Sequence, residues 1–167
     1  MARLRPTVGT QERDSFQRLF AHRPNLQEEF RRFYATMWSH SLIDPTIKEL
    51  CRLKAAQIHG CAYDSNIRFS VAVERGLTEG KIVKIADYEN SDLEPREVAA
   101  LRFCELFCLE PHAVYDELVE ELNRYFSPPE IADLTVAIGI ADSLCRLHVL
   151  LGVEPNSPEV TVVPTPA

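Results

Sequence analysis

An all-α fold is what this chain predicts, on three observations. Apolar residues recur at helical spacing, capping residues stand at the ends of the periodic segments, and the last segment is almost wholly apolar. Gln11 to His22 reads as a first helix, with Phe16, Leu19 and Phe20 on one side. Asn25, with Glu28 three residues on, offers the cap of a second helix. Its Leu26, Phe30, Phe33, Tyr34, Met37 and Trp38 form one continuous face and are assigned to the core. Asp44 and Pro45 supply the N-cap and first turn of a third helix. It ends near His59, where Gly60 can take the left-handed conformation.

A fourth helix is expected from Ala62 to Arg75, stopped by Gly76, after which Thr78 caps a short helix through Ala86. Tyr88 to Leu93 reads as a polar loop. Pro95 starts a helix to about Leu109, and Pro111 both blocks its continuation and opens the next, which ends near Phe126. Ser127 and Glu130 form a capping box for a helix running to Leu151 before Gly152. Residues 1–152 are therefore read as one helical domain. Residues 153–167, with four prolines and the short segment Val160 to Val163, are read as an extended tail, either mobile or laid across a neighbouring subunit.

Composition narrows the function classes. With 167 residues, 46% of them hydrophobic, the chain can bury one sizeable core. A net charge of −7 with interspersed signs leaves no basic stripe for phosphates, so nucleic acid is not an expected partner. No uninterrupted apolar run reaches the length of a membrane span, and MARLRPTVGTQERD lacks the apolar stretch of a signal peptide. No membrane association is expected, and the location is expected to be cytoplasmic. Five cysteines without scaffold spacing suit free thiols in a reducing compartment.

The chemistry concentrates between Glu49 and Arg68. Cys61 begins C-A-Y-D, in which Asp64 stands where a C-x-x-C pair has its second thiol. On one helix Cys61, Asp64 and Arg68 share a face. There the Arg68 fork suits a substrate carboxylate and Asp64 a proton carrier. A plain Asp64–Arg68 ion pair beside a buried Cys61 is the structural alternative. Glu49 lies in an otherwise apolar helix. Turned inward without a partner it becomes a general base of raised pKa, and turned outward it simply favours the helix dipole. On the last helix Arg146 is a possible second carboxylate anchor, although Asp142 one turn away can neutralise it, and His148 sits on the packing stripe. Tyr63 and Trp38 are candidates for lining a pocket. Cys104 with Cys108, and His59 with Cys61, lack zinc-type spacing, so neither metal nor cofactor is expected.

The runs RPNL (Arg23 to Leu26), DPTIKELCRLKAAQIHGCAY (Asp44 to Tyr63) and GLTEGKI (Gly76 to Ile82) resemble the carboxymuconolactone decarboxylase and alkyl hydroperoxidase D-like superfamily, over about residues 23–154. The resemblance implies an orthogonal helix bundle of the alkyl hydroperoxidase D type, assembled as a homo-oligomer, a trimer or hexamer. The peroxidase branch has a Glu twelve positions before the first Cys and a His four positions after the second. Glu49 and Cys61 match, whereas Asp64 replaces the second Cys and Arg68 the His.

The candidate catalytic set is Glu49, Cys61 and Asp64, with Arg68, Arg146, Tyr63 and His148 around the substrate; the resemblance supports Glu49, Cys61 and Arg146 among them. Because Asp64 cannot close a disulfide, dithiol peroxidase activity is expected to be lost. The reaction expected instead is cofactor-free acid/base chemistry (decarboxylation, isomerisation or hydration) on a small carboxylated metabolite, as the decarboxylase branch performs in aromatic degradation. Two alternatives stand beside it: a one-Cys peroxidase using Cys61, and a non-catalytic ligand-binding oligomer.

Overall fold

The computed structural model describes residues 20–166, so most of the helix expected over residues 11–22 lies outside the described residues. Helix α1 (Pro24–Ser39) has Arg23 as its N-cap. Pro24 takes the first helical position, which its fixed φ suits, and Asn25 falls inside the first turn instead of capping it. Helix α2 (Pro45–His59) follows the expected bounds. The Asp44 carboxylate accepts from the Thr46 amide at 2.8 Å, and Gly60 ends the helix at φ 59°. That left-handed residue turns the chain sharply enough for the Cys61 amide to bond back to the Ala56 carbonyl at 2.8 Å, which seats Cys61 against the end of α2.

The helix expected from Ala62 to Arg75 is broken. The chain forms α3 (Ala62–Asn66), an extended segment β1 (Ile67–Phe69) and α4 (Ser70–Glu74), with Gly76 at φ 97° closing the unit. Side chains have taken the backbone partners that a continuous helix needs. Arg52 donates to the carbonyls of Asp64 and Ile67 at 2.8 and 2.7 Å, and Arg68 donates to that of Ser65. The Phe69 amide donates to Glu49 Oε1, and the Val71 amide to Thr165 Oγ1. With both donors and acceptors satisfied elsewhere, the break leaves no orphaned group at these positions.

Helix α5 (Glu79–Ile82) is capped by Thr78 as expected, and a 3₁₀ segment (Val83–Asn90) extends it, so Tyr88 is buried and not part of a polar loop. Helix α6 (Pro95–Leu109) carries a capping box of Glu94 and Glu97. After a single 3₁₀ turn at Pro111–Ala113, α7 (Asp116–Tyr125) begins five residues later than expected. Helix α8 (Pro128–Leu151) has the expected Ser127–Glu130 box and Gly152 terminus. The tail does not hang free. Its β2 (Thr161–Val163) pairs in parallel with β1, Ile67 opposite Thr161, and Asn66 and Ser70 bond the tail on either side.

Helix α2 is the axis of the fold, packed between α6 and α8, and every residue from Thr46 to Ala56 is buried. Ile47, Cys51, Ala55 and Ala56 meet Ala100, Cys104, Leu134 and Ile138 in the main core. Four charged residues are buried on α2 with them, each against a partner. Lys48 reaches the Met37 carbonyl and Asp133, Lys54 reaches Glu105, and Glu49 and Arg52 pair with each other. Contrary to the expectation from run length, α8 is long and apolar enough to cross a membrane, with a mean hydropathy of 1.6. Leu134, Ile138, Ala141 and Cys145 are buried against its neighbours, while Val136, Val149 and Leu150 are exposed.

Asp133 on α8 joins α1 to α2. One oxygen accepts from Ser41 Oγ and the Leu42 amide at 2.8 Å and from the Ile43 amide at 3.2 Å. Hydrogen bonds to a charged group contribute about 1.5–3 kcal/mol each, but losses at one shared atom do not add. Asp133→Ala is therefore expected to lower unfolding stability by about 2–3 kcal/mol in urea denaturation; a change within about 0.5 kcal/mol contradicts the clamp.

Candidate active site

The site is built where α3 crosses α2 and α8. Arg52, one turn after Glu49 on α2, forks onto both oxygens of Glu49 at 2.8 Å. Its remaining donors reach across to the α3 carbonyl of Asp64 and, at 3.4 Å, to Asp64 Oδ1. Glu49 is fully buried and occupied by Arg52 and the Phe69 amide. It is a fixed counter-ion, not the free general base allowed for in sequence, and it communicates with Cys61 only through Arg52 and Asp64.

Asp64 is the hub. Its Oδ2 lies 2.7 Å from His148 Nδ1, accepts from the Cys61 thiol at 3.1 Å and accepts from the Cys145 thiol at 3.6 Å. His148 Nδ1 is also 4.0 Å from Cys61 Sγ. All four side chains are buried. Cys145 and His148 stand three residues apart on α8, so one face of that helix delivers a thiol and an imidazole together. These are the two groups whose places in the C-x-x-C arrangement Asp64 and Arg68 have taken.

The electrostatics follow from this packing. The neighbouring Cys145 thiol lowers the Cys61 pKa most, and although burial opposes it, the His148 contact helps to bring it down to about 6. The same exchange pushes Cys145 far up, as the proton-holding partner. Burial disfavours charge on His148, but Asp64 and then Cys61 overcome that and raise it to about 9. Burial likewise works against an ionised Asp64, and His148 and Arg52 hold it below the ordinary carboxylate range.

The remaining expected residues divide. Tyr63 packs edge-on against His148 with ring centroids 4.7 Å apart, and both line a cavity of about 380 Å³. Asp64 belongs to the same wall, opposite Phe30 and Tyr34 of α1, and the tail closes the cavity with Pro155 and Val163. Trp38 lies outside it, packed on Phe69 and Lys48. Arg68 does not join Cys61 and Asp64. The break at Ile67 swings it off the Cys61–Asp64 face, and its fork holds Glu79 at 2.8 and 3.1 Å. Arg146 faces away as well, gripping Asp142 at 3.0 Å and the Cys108 carbonyl. Sequence reasoning missed Arg52, Tyr34 and Cys145. Arg52 carried a signal, a basic residue one turn after Glu49 in an apolar helix. For Cys145 the signal was a C-x-x-H pair on the most apolar helix.

Residues 24–105 match the carboxymuconolactone decarboxylase family. The uncharacterized protein YdfG of Bacillus subtilis is 30% identical over 114 residues, covering 67% of this chain and 78% of its own. The chain belongs to the carboxymuconolactone decarboxylase family. Solved structures agree on the fold. The alkylhydroperoxidase AhpD core of an uncharacterized peroxidase-related protein from Ralstonia eutropha JMP134 superposes with a TM-score of 0.71 at 20% identity, over 86% of this chain and 77% of that one. A Cys-to-Ala variant of the debrominase Bmp8, in complex with 2,3,4-tribromopyrrole, gives 0.71 at 19% identity over 83% and 74%.

Removing Arg52 leaves Glu49 buried without a counter-ion. Breaking such a pair costs about 3–5 kcal/mol. Arg52→Met is expected to lose that much in urea denaturation, and Arg52→Lys most of it because an ammonium cannot fork to five acceptors. A loss under about 1 kcal/mol in both contradicts the role assigned to the guanidinium.

Proposed function

We propose that this member of the carboxymuconolactone decarboxylase family is a dithiol redox enzyme in which Cys61 attacks, Cys145 resolves, and Asp64 and His148 carry protons. The observation that supports the reading is the convergence of both thiols on one oxygen of Asp64. Dithiol chemistry, expected to be lost with the second Cys of C-x-x-C, regains its second sulfur from a helix more than eighty residues away.

The substrate class is a small organic hydroperoxide. The Cys61 thiolate attacks one peroxide oxygen, the O–O bond breaks, and the alkoxide leaves as alcohol with a proton relayed through His148. Cys61 is then a sulfenic acid. Cys145 passes its proton to Asp64 and attacks the Cys61 sulfur; the S–O bond breaks and hydroxide leaves as water, taking that proton. An external dithiol returns the disulfide to two thiols. A mostly apolar cavity walled by Phe30, Tyr34 and Tyr63 suits an alkyl or aryl group on the peroxide. The proposal keeps a reducing, cytoplasmic setting and a homo-oligomer, trimer or hexamer, for which Val149 and Leu150 exposed on α8 offer apolar contact surface.

A second reading rests on one further observation: Asp64 and His148 form part of the cavity wall, and the two sulfurs do not. A hydrogen-bonded acid–imidazole pair there is equipped for cofactor-free acid/base chemistry such as decarboxylation, isomerisation or hydration. A carboxylated substrate is less well supported, because both expected anchors, Arg68 and Arg146, are engaged elsewhere.

Cumene hydroperoxide consumption with dithiothreitol as reductant separates the two. Steady turnover is expected in the wild type, with a loss of at least about 100-fold in Cys61→Ser and in Asp64→Asn. Cys145→Ser is expected to react once and stall as a sulfenic acid. Absence of wild-type turnover, or full activity in Cys145→Ser, overturns the dithiol reading and leaves the acid/base one.

A further inference from the structure

The groups that meet at Asp64 are also a set of metal ligands. Cys61 Sγ, Asp64 Oδ2 and His148 Nδ1 all lie within 4.8 Å of one another. Cys145 Sγ lies outside that set but 3.6 Å from the same Oδ2. We propose that the reduced protein binds one zinc ion through Cys61, Cys145, His148 and Asp64, in the volume where their protons now sit.

Geometry favours it. A tetrahedron with Zn–S of about 2.3 Å and Zn–N or Zn–O of about 2.0–2.1 Å has edges of about 3.3–3.8 Å. The edges present are 2.7, 3.1, 3.6 and 4.0 Å. These four of the six edges bracket that range, so Cys61, Asp64 and His148 admit the ion with shifts of about half an ångström, and Cys145 completes the shell by a larger movement toward Cys61 and His148. Ligand chemistry favours it too. Two thiolates, an imidazole and one carboxylate suit borderline-soft zinc, whereas calcium and magnesium demand oxygen shells. Two thiolates and the Asp64 carboxylate leave the dication one negative charge in excess; Arg52, 3.4 Å from the far oxygen of Asp64, is itself matched by Glu49. Arg52 also fixes the orientation of that carboxylate, as outer partners of metal sites do.

The absence of a recognisable zinc motif has a simple cause. The ligands form two pairs, Cys61 with Asp64 and Cys145 with His148, each separated by two residues as paired zinc ligands often are. One pair has a carboxylate in place of its second sulfur, and the two pairs are far apart in the chain. The other cluster of possible ligands, His59, Cys108 and Asp142, fits less well. Both oxygens of Asp142 are held by the Arg146 guanidinium at 3.0 Å, which repels a cation.

Zinc and hydroperoxide would compete for the same two sulfurs, so the inference concerns regulation of the proposed redox site. It shares that site's geometry but does not require its reaction. The test titrates the reduced, chelator-stripped full chain with Co²⁺ and then displaces it with Zn²⁺. Expected are one ion per chain and thiolate-to-cobalt charge-transfer absorption that vanishes when zinc enters. Cys61→Ser and Cys145→Ser should each weaken zinc binding by at least about 100-fold, since even outer-partner changes cost about 10- to 100-fold. Circular dichroism confirms that each variant is folded, and His148→Gln, which leaves both sulfurs in place, should weaken binding as well. Cys108→Ser should bind as the wild type does. No charge-transfer band, undiminished binding in Cys145→Ser, or loss of binding in Cys108→Ser overturns the proposal. A protein that turns over peroxide but takes up no cobalt refutes the metal site alone; one that binds cobalt through both sulfurs but consumes no peroxide supports the metal site and refutes the redox reading.

Discussion

One buried guanidinium holds this site together. Arg52 sits in the middle of the central helix and binds both oxygens of Glu49, two backbone carbonyls of the α3–β1 turn and the far oxygen of Asp64. A buried arginine with all its acceptors in place is tolerable, and one without them is expensive. The turn must therefore stay where its carbonyls reach Arg52, and this is why the helix beginning at Ala62 stops after five residues. The break orients Asp64 toward α8 and sends Arg68 to Glu79.

From that constraint the rest of the cleft follows. The extended β1 offers an edge, which the tail covers as β2, and the same tail walls the cavity in which Asp64 and His148 lie. Asp64 in turn is a single acceptor shared by three donors, two thiols and an imidazole. Such sharing ties their protonation states together, so that a proton leaving Cys61 has Cys145, His148 and Asp64 as immediate neighbours. That coupling is the common basis of the redox reading, the acid/base reading and the metal site.

Much of the fold was legible in sequence because it is written in local signals. Asp44, Gly60, Gly76, Ser127 with Glu130, and Gly152 mark their helix ends as expected, each through a cap or a left-handed glycine. The break at Ile67 was not legible, because its cause is Arg52, fifteen residues earlier, acting through backbone carbonyls. The site was half legible for the same reason. Glu49, Cys61, Asp64 and Tyr63 fall in one segment, and His148 is read from sequence both as a packing residue and as a neighbour of the substrate. Cys145 belongs to the site only through the tertiary contact of α8 with α3, which spacing along the chain cannot reveal. Arg68 and Arg146 carried the right chemistry on the wrong faces, and each found an acidic partner outside the cavity.

The central claim is that a sulfur from α8 stands in for the one missing from C-x-x-C. Peptide mapping by mass spectrometry, on protein exposed to one equivalent of hydroperoxide and digested without reductant, tests it most directly. The account predicts a single crosslink joining the peptides that contain Cys61 and Cys145, two mass units below the sum of the free thiols, with Cys51, Cys104 and Cys108 unchanged. Cys61 recovered as sulfinic or sulfonic acid beside a free Cys145 would contradict it.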